Sequence, residues 1–235
     1  MKLLLFLLTP LAGWAQDGTE PRELLGKMGT RSALLVLHSA QRPDGSWQVA
    51  GEYVILPTLA RRFLEGERSP ELGVTVLKEG TTPILFGRPG IAELRGTWRE
   101  GAFRGSRYGV GGQKREDFEF SEDFPSMDAY SANLRCEAKQ GRHQTRLALS
   151  VDKGRLNSLD WRSVEPGGQA CGIVATAQQP LRGGLRFAAG ACRITLRDAG
   201  EVLALRAENC AALCDGDAHI APLFIDRRGN CELLP

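Results

Sequence analysis

The sequence predicts an all-β protein made of two antiparallel domains, each barrel- or sandwich-like, with at most one or two short helices. Short apolar runs recur along the chain and turn residues separate them; the 235 residues include 28 glycines and 12 prolines. Within several runs the apolar residues occupy alternate positions, which is the pattern of a strand with one buried face. Closely spaced strands of this kind are typical of an antiparallel meander that closes into a barrel or a sandwich.

The N-terminus has the pattern of a secretory signal peptide, predicted over residues 1–15. Lys2 supplies a basic start, an apolar run follows, and Gly13 and Ala15 are spaced like the small residues of a cleavage site. The run is short for a bilayer span, and no later apolar stretch approaches the ~20 residues that a transmembrane helix needs. The alternative is an N-terminal core helix, but the segment lacks a polar face. The expected location is therefore periplasmic or secreted, without a transmembrane segment.

The charge balance argues against a nucleic-acid partner. The chain carries 30 basic and 28 acidic residues, and removal of Lys2 with the signal peptide leaves 29 basic residues. The two signs are interleaved along the whole chain, so no basic stripe is present to follow a phosphate backbone.

The cysteines divide the chain into unlike halves. In an exported protein an even number of cysteines predicts disulfides, although the sequence does not choose among the pairings. The asymmetry predicts a cysteine-free β domain over residues 16–125 and a disulfide-stapled β domain over residues 126–235. Acidic, serine and proline residues interrupt the hydrophobic pattern at the boundary, within residues 121–133. The six cysteines are Cys136, Cys171, Cys192, Cys210, Cys214 and Cys231.

The first element is expected to be a short helix over residues 19–30. Thr19 is a suitable N-cap, Pro21 stands near the first turn, and Gly29 would end the helix.

Strand signals dominate the rest of the first half. Residues 32–40 form a continuous apolar run of strand length, and residues 45–56 place apolar side chains on alternate positions, with Gly51 in phase where a bulge or a close contact is expected. The alternating residues are Trp47, Val49, Tyr53 and Ile55. Further short runs cover residues 61–67, 72–80 and 82–87, and residues 92–109 repeat a strand, a turn at Glu100-Gly101 and a second strand. The last run, residues 115–124, puts Phe118, Phe120 and Phe124 in phase.

The second half continues with strand-like runs. Residues 192–200 alternate between a face of Cys192, Ile194 and Leu196 and a face of Arg193, Thr195 and Arg197. Residues 200–214 leave two alternatives open, because they are good helix formers: a helix, or a strand followed by one helical turn at residues 211–214. The other runs are residues 146–152, 155–163, 184–190 and 201–210.

The stretch from Asn209 to Cys231 contains three cysteines, several aspartates and His219, and therefore raises the question of a metal site. Structural zinc usually takes two Cys-x2–4-Cys knuckles or Cys/His pairs from two places, whereas here one Cys-x3-Cys has no second knuckle. A calcium site would use Asp215, Asp217 and Asp226, but further oxygen ligands are missing from the loop. The spacing also differs from that of a Cys-x2-Cys redox motif. We therefore expect disulfide staples, with no metal and no cofactor.

No catalytic motif stands out. The three histidines, His38, His143 and His219, are far apart in sequence, and no nucleophile elbow, zinc-protease motif or phosphate-binding glycine loop occurs. We assign no catalytic residue. A glycosidase needs only two carboxylates, so a hydrolase with a carboxylate pair is the alternative.

Aromatic residues in the first half suggest a binding surface instead. If Trp98 and Tyr108 project together from a hairpin tip, they would form an anchor of the kind that protein interfaces favour. We predict these two residues as the binding site, with another protein as the partner.

Two motifs carry a resemblance to known proteins. The run Leu-Arg-Gly-Thr-Trp-x-x-Gly-x-Phe-x-Gly at residues 94–105 resembles a pattern of uncharacterised exported bacterial β-proteins. The second motif combines Cys-Arg-Ile-Thr-Leu, residues 192–196, with Cys-x3-Cys-Asp-Gly, residues 210–216, and is similar to small periplasmic modules that include lysozyme inhibitors. The Ser-Gly-x-x-Tyr loop of the C-type lysozyme inhibitors does not occur, so the resemblance assigns no functional residue.

Together these features predict an exported binding protein, such as a periplasmic inhibitor or immunity-type partner of a cell-wall hydrolase. The alternatives are the carboxylate hydrolase and a structural protein of the cell envelope, which would expose a sheet edge for strand addition.

The cysteine interpretation has a direct test. Peptide mapping of the native protein under non-reducing conditions is expected to find three disulfides and no free thiol. Reduced cysteines in native material, or a metal retained in stoichiometric amount through purification, would contradict it.

Overall fold

The computed structural model describes residues 21–69, 71–83, 90–175, 177–216 and 218–234. These residues form a closed eight-stranded antiparallel barrel, then a four-stranded sheet and a six-stranded sheet. The predicted all-β class is confirmed, with one three-residue 3-10 turn as the helical element of the described chain. None of the described helical segments has the length and apolarity to cross a membrane. The predicted signal peptide, and most of the predicted run at residues 82–87, lie outside the described residues.

The barrel is an up-and-down meander in which each strand pairs with its sequence neighbour and β1 pairs with β8 to close the sheet. Its strands are β1 (Arg22–Met28), β2 (Arg31–Gln41), β3 (Trp47–Ile55), β4 (Ala60–Arg68), β5 (Val74–Gly80), β6 (Ala92–Arg99), β7 (Ala102–Gly109) and β8 (Lys114–Ser121).

The helix predicted at residues 19–30 is wrong where the structure describes the segment, because β1 is a strand. All seven of its residues pair with β2, and Leu25 to Met28 also pair with β8. Leu24 and Met28 are fully buried in the barrel. Pairing on both sides and burial outweigh the weak local helix signals of Thr19, Pro21 and Gly29.

The alternation predicted for the first half is confirmed inside the barrel. Val49, Tyr53 and Ile55 of β3 belong to the barrel core, and Trp47 packs against it at one end. Phe118 and Phe120 of β8 lie in the same core. The remaining buried members are Leu24, Met28, Ala33, Leu35, Leu37, Leu64, Leu77, Leu94 and Phe103.

The turn predicted at Glu100-Gly101 joins β6 to β7. Both residues have positive φ, 51° and 77°, which is the conformation of a tight two-residue hairpin turn.

Gly51 makes the close contact that the sequence suggested. A Cβ at this position would lie 2.0 Å from the carbonyl oxygen of Val36 on the neighbouring strand. Gly66 has the same relation to the carbonyl oxygen of Val76, at 1.9 Å. Because a small barrel needs strongly coiled strands, glycine at inward positions lets adjacent backbones approach where a side chain would collide.

This contact predicts that Gly51→Ala destabilises the protein by about 2 kcal/mol, in the range typical of overpacking a filled core. Gly172→Ala is the matched control, since a Cβ there meets nothing within 4 Å. Urea unfolding followed by circular dichroism measures both free energies. An equal effect of the two substitutions would contradict the close-contact interpretation.

The second half forms two sheets that pack face to face. The four-stranded sheet contains β9 (Ala132–Gln140), β10 (His143–Asp152), β11 (Arg155–Val164) and β12 (Ala170–Ala175). The six-stranded sheet contains β13 (Ala177–Gln179), β14 (Leu185–Ala189), β15 (Cys192–Asp198), β16 (Val202–Glu208), β17 (Leu223–Asp226) and β18 (Cys231–Leu233). Trp161 and Phe187, one from each sheet, are fully buried in their shared core.

The open question over residues 200–214 is decided in favour of a strand followed by a short turn. Val202–Glu208 is β16, and Ala211–Leu213 forms the 3-10 turn. Residues 202–205 are all buried because β16 is covered on both faces, so their apolar run lacks alternation.

All six cysteines are paired, as the sequence predicted. Cys136–Cys231 joins β9 to β18 and therefore links the two sheets across a separation of 95 residues. Cys171–Cys214 and Cys192–Cys210 fasten both ends of the 3-10 segment to β12 and β15. The cysteine-rich stretch is thus attached by disulfides to strands of both sheets.

Phe124 departs from the predicted strand phase. Strand β8 ends at Ser121, so Phe124 lies in the connecting segment and not with Phe118 and Phe120 in the barrel. It packs instead in an apolar cluster between the barrel and the six-stranded sheet, where the Arg197 guanidinium lies 4.5 Å from its ring centroid. Whether residues 16–125 and 126–235 are independent domains stays a prediction.

The junction between barrel and sandwich has an apolar part. The outer face of the barrel and the outer face of the six-stranded sheet both contribute to it. From the barrel and its β3–β4 turn come Leu25, Leu34, Val54, Leu56 and Leu59. From the sandwich half come Ala199, Val202, Ala204, Phe224 and Leu234.

A polar network completes the junction. Arg197 of β15 donates to Glu23 of β1 at 3.0 Å, and Thr195 donates to the same carboxylate at 3.2 Å. Arg206 of β16 bonds Glu52 of β3 at 3.2 Å. Glu23 and Glu52 are each 8% exposed, so their charges depend on these arginines for compensation.

We expect Glu23→Ala to lower the free energy of unfolding by about 3–5 kcal/mol, because it leaves guanidinium groups buried without their partner. Glu122→Ala is the control: Glu122 pairs with Arg22 at 3.0 Å, but both side chains are about half exposed, so about 0–1 kcal/mol is expected. Similar losses in the two variants would show that the junction network has no special role.

Candidate functional site at the barrel mouth

The two ends of the barrel differ in chemistry. At one end lie the β2–β3, β4–β5 and β6–β7 turns and the start of β1; we call this end the mouth. At the opposite end lie the β1–β2, β3–β4 and β7–β8 turns. Alternation along each strand decides which side chains point inward at either end.

The mouth contains a cavity of about 250 Å³. Its apolar lining comes from Leu37, Val49, Trp47 and Trp98, which all occupy inward positions on their strands. Trp98 stacks on Phe103 with ring centroids 5.0 Å apart, so the barrel core supports one wall of the cavity. A concave, mostly apolar site with a few polar groups is the usual form of a small-ligand site.

The polar lining consists of Arg22, Arg68 and Ser39. Arg22 lies over the Trp98 ring at 4.5 Å and forms an ion pair with Glu122. The Arg68 guanidinium has no hydrogen bond or ion pair to any described residue. The cavity lining therefore contains one arginine that is paired with a carboxylate, Arg22, and one that is not, Arg68.

The opposite end of the barrel is filled by a polar network. Glu79 is fully buried and accepts two hydrogen bonds from Arg107, at 2.6 and 2.9 Å. This bonding raises the pKa of Arg107. Burial, followed by the negative charge of Glu79, raises the pKa of Tyr53. Arg107 also pairs with Glu116 at 3.2 Å, so the side chains at this end already bind one another.

The structure separates the two residues that the sequence proposed as a binding patch. Trp98 lies beside the β6–β7 turn at the mouth, whereas Tyr108 pairs in register with Glu93 at the far end of the same hairpin. Tyr108 lies on the outer surface, with Arg95 4.8 Å from its ring centroid. A shared hairpin tip is not formed, and only Trp98 contributes to the cavity.

The three histidines have different surroundings. Partial desolvation of the ring, followed by the charge of Arg206, lowers the pKa of His38, although His38 still reaches solvent. His143 Nε2 lies 2.7 Å from Ser163 Oγ, and desolvation lowers the pKa of His143. His219 Nδ1 lies 2.7 Å from Glu165.

The His143–Ser163 contact has the geometry of a nucleophile hydrogen-bonded to its general base, and it was not predicted from the sequence. Ser163 is only 2% exposed and faces the sandwich core, so a substrate cannot reach its hydroxyl in this conformation. The contact therefore supplies a hydrogen-bond partner for the buried Ser163 hydroxyl.

A second depression, of about 480 Å³, lies on the four-stranded sheet and is more open to solvent. Its charged rim is largely self-paired: Arg146 binds Glu137 at 3.0 Å, and Arg162 binds Asp160 at 3.1 Å. Among the described residues no group of three or more His, Cys, Asp or Glu side chains is placed to hold a metal ion. The barrel mouth is thus the better candidate site.

Arg68, which lines the cavity, and its buried neighbour Thr75 were not identified from the sequence. Both lie on the inward face near a strand end, and alternation on β4 and β5 was the only signal that bears on them. Identifying the mouth requires knowing which strand ends meet, and the sequence does not supply that.

Comparison of the chain with protein-family models, with curated proteins and with solved structures found no match.

Proposed function

We propose that this chain is an exported binding protein whose barrel mouth takes up an apolar group of its ligand. The observation that supports it most is the cavity between Trp47 and Trp98, which is built from inward-facing side chains of a closed barrel. Eight strands enclose just enough space to be filled by side chains or to hold one small ligand. Here the core fills the barrel beneath the mouth, and the cavity occupies the end.

Export is supported by two independent features. The first residues have the pattern of a cleavable signal peptide, and the second half is fastened by three disulfides. Disulfides of this kind persist in oxidising compartments and are rare in the cytosol. The narrower hypothesis, in which the partner is a cell-wall hydrolase, stays a prediction.

The hydrolase alternative is less well supported. Glu23, Glu52 and Glu79 are buried carboxylates, and each is engaged by at least one arginine. Their oxygens are occupied by the arginines and lie away from solvent, so they are poorly placed to exchange a proton with a substrate.

The function is tested with 1-octanol, a neutral probe, by isothermal titration calorimetry. We expect binding with a dissociation constant in the micromolar to millimolar range, as for a ligand of about nine non-hydrogen atoms. Ser39→Phe places a ring in the cavity and should weaken binding at least tenfold. Ala40→Phe is the matched control, because Ala40 is the exposed neighbour on the opposite face of β2.

Nuclear magnetic resonance of the indole N–H groups gives a second readout. Octanol should shift the indole N–H signals of Trp47 and Trp98. The signal of Trp161 should not change, because Trp161 is buried in the sandwich. Absence of octanol binding, or equal weakening by both phenylalanine variants, would refute the proposed function.

A further inference from the structure

We propose that the ligand of the mouth is a single-chain amphiphile with an anionic head group, whose chain enters between Trp47 and Trp98 and whose head group pairs with Arg68. This inference rests on the proposed function and specifies its ligand.

Arg68 supplies the charge argument. It lines the cavity at the last position of β4, and its cross-strand neighbour on β3 is Trp47. The other arginines on inward positions have carboxylate partners: Arg62 and Arg107 with Glu79, Arg31 with Glu116, and Arg22 with Glu122. Arg68 has none among the described residues. An unbalanced guanidinium beside an apolar cavity favours a carboxylate, sulfate or phosphate, which it can bind through two parallel hydrogen bonds.

Thr75 adds a second unsatisfied group at the same place. It pairs in register with Arg68 on one side and with Gly96 on the other. Its hydroxyl is fully buried and has no hydrogen-bond partner among the described residues. A buried hydroxyl without a partner is costly, but Thr75 does not line the cavity, so a head group held by Arg68 would reach it only after its side chain became exposed. The cavity lining therefore offers a head group one unpaired polar group, the Arg68 guanidinium, and the unpaired Thr75 hydroxyl is buried beside it.

The cavity volume limits the ligand to one chain. A volume of about 250 Å³ corresponds to roughly eight non-hydrogen atoms, taking about 30 Å³ per water-sized group. A chain of seven or eight carbons fits this space when the head group lies at the rim. Two acyl chains of similar length would not fit.

The inference is tested by calorimetry with four monomeric probes that share a short chain: octanoate, octyl sulfate, octylamine and 1-octanol. The two anions are expected to bind roughly tenfold or more tightly than octanol, the gain typical of a charge-assisted hydrogen bond, and octylamine more weakly than octanol. Dihexanoyl phosphatidylglycerol, a two-chain anion, is expected to bind less tightly than octanoate.

Two variants locate the effect. Arg68→Met should lower octanoate affinity to that of octanol and leave octanol affinity within about twofold. Arg99→Met removes the same charge from an exposed residue at the same end of the barrel, and should leave both affinities unchanged.

The outcomes separate this inference from the proposed function. Octanol binding without a preference for the anions would overturn the head-group assignment alone, as would equal effects of Arg68→Met and Arg99→Met. Tighter binding of the two-chain lipid would overturn the single-chain assignment. Failure of octanol to bind, whatever the other probes do, would overturn the function itself.

Discussion

The pairing of β1 with both β2 and β8 is the constraint on which the rest of the structure depends. It closes the barrel, so no strand of that sheet has a free edge. Alternation along β1 then gives its residues three roles: Arg22 reaches the mouth, Leu24 fills the core, and Glu23 points outward to the sandwich. A slip of one residue in this register would exchange the inward and outward sets and destroy all three contacts.

The six-stranded sheet is a middle layer. Its inner face packs on the four-stranded sheet, and its outer face packs on the barrel. This explains why Ile194 and Leu196 of β15 lie in the sandwich core while Thr195 and Arg197 bind Glu23. The charged face looks solvent-exposed in the sequence, yet it forms the polar half of an internal junction. Such a network tolerates few substitutions, because loss of either charge leaves the other buried without its partner.

The two ends of the barrel differ in whether their polar side chains have hydrogen-bond or ion-pair partners. At the Glu79 end, arginines and carboxylates neutralise one another within the core. At the mouth, Arg68 and Thr75 have no such partners among the described residues, and the surrounding walls are aromatic and aliphatic. Thr75 is buried and does not line the cavity, whereas Arg68 is half-buried and does line it, so Arg68 is the group whose missing contact a ligand in the cavity can supply. The disulfides lie wholly in the other half of the chain and leave the mouth unconstrained by covalent links.

The sequence by itself determined the all-β class, most strand positions, the Glu100-Gly101 hairpin and the pairing of all six cysteines, because alternation, turn residues and cysteine parity are local or compositional signals. Tertiary structure alone decided that residues 22–28 are a strand, that Phe124 leaves the barrel, and that Trp98 and Tyr108 lie at opposite ends of a hairpin. It also decided which strand ends meet to form the mouth and which cysteines bond. These outcomes depend on contacts between residues far apart in the chain. Such contacts contribute more free energy than local secondary-structure propensities, and they produce no periodic pattern in the sequence.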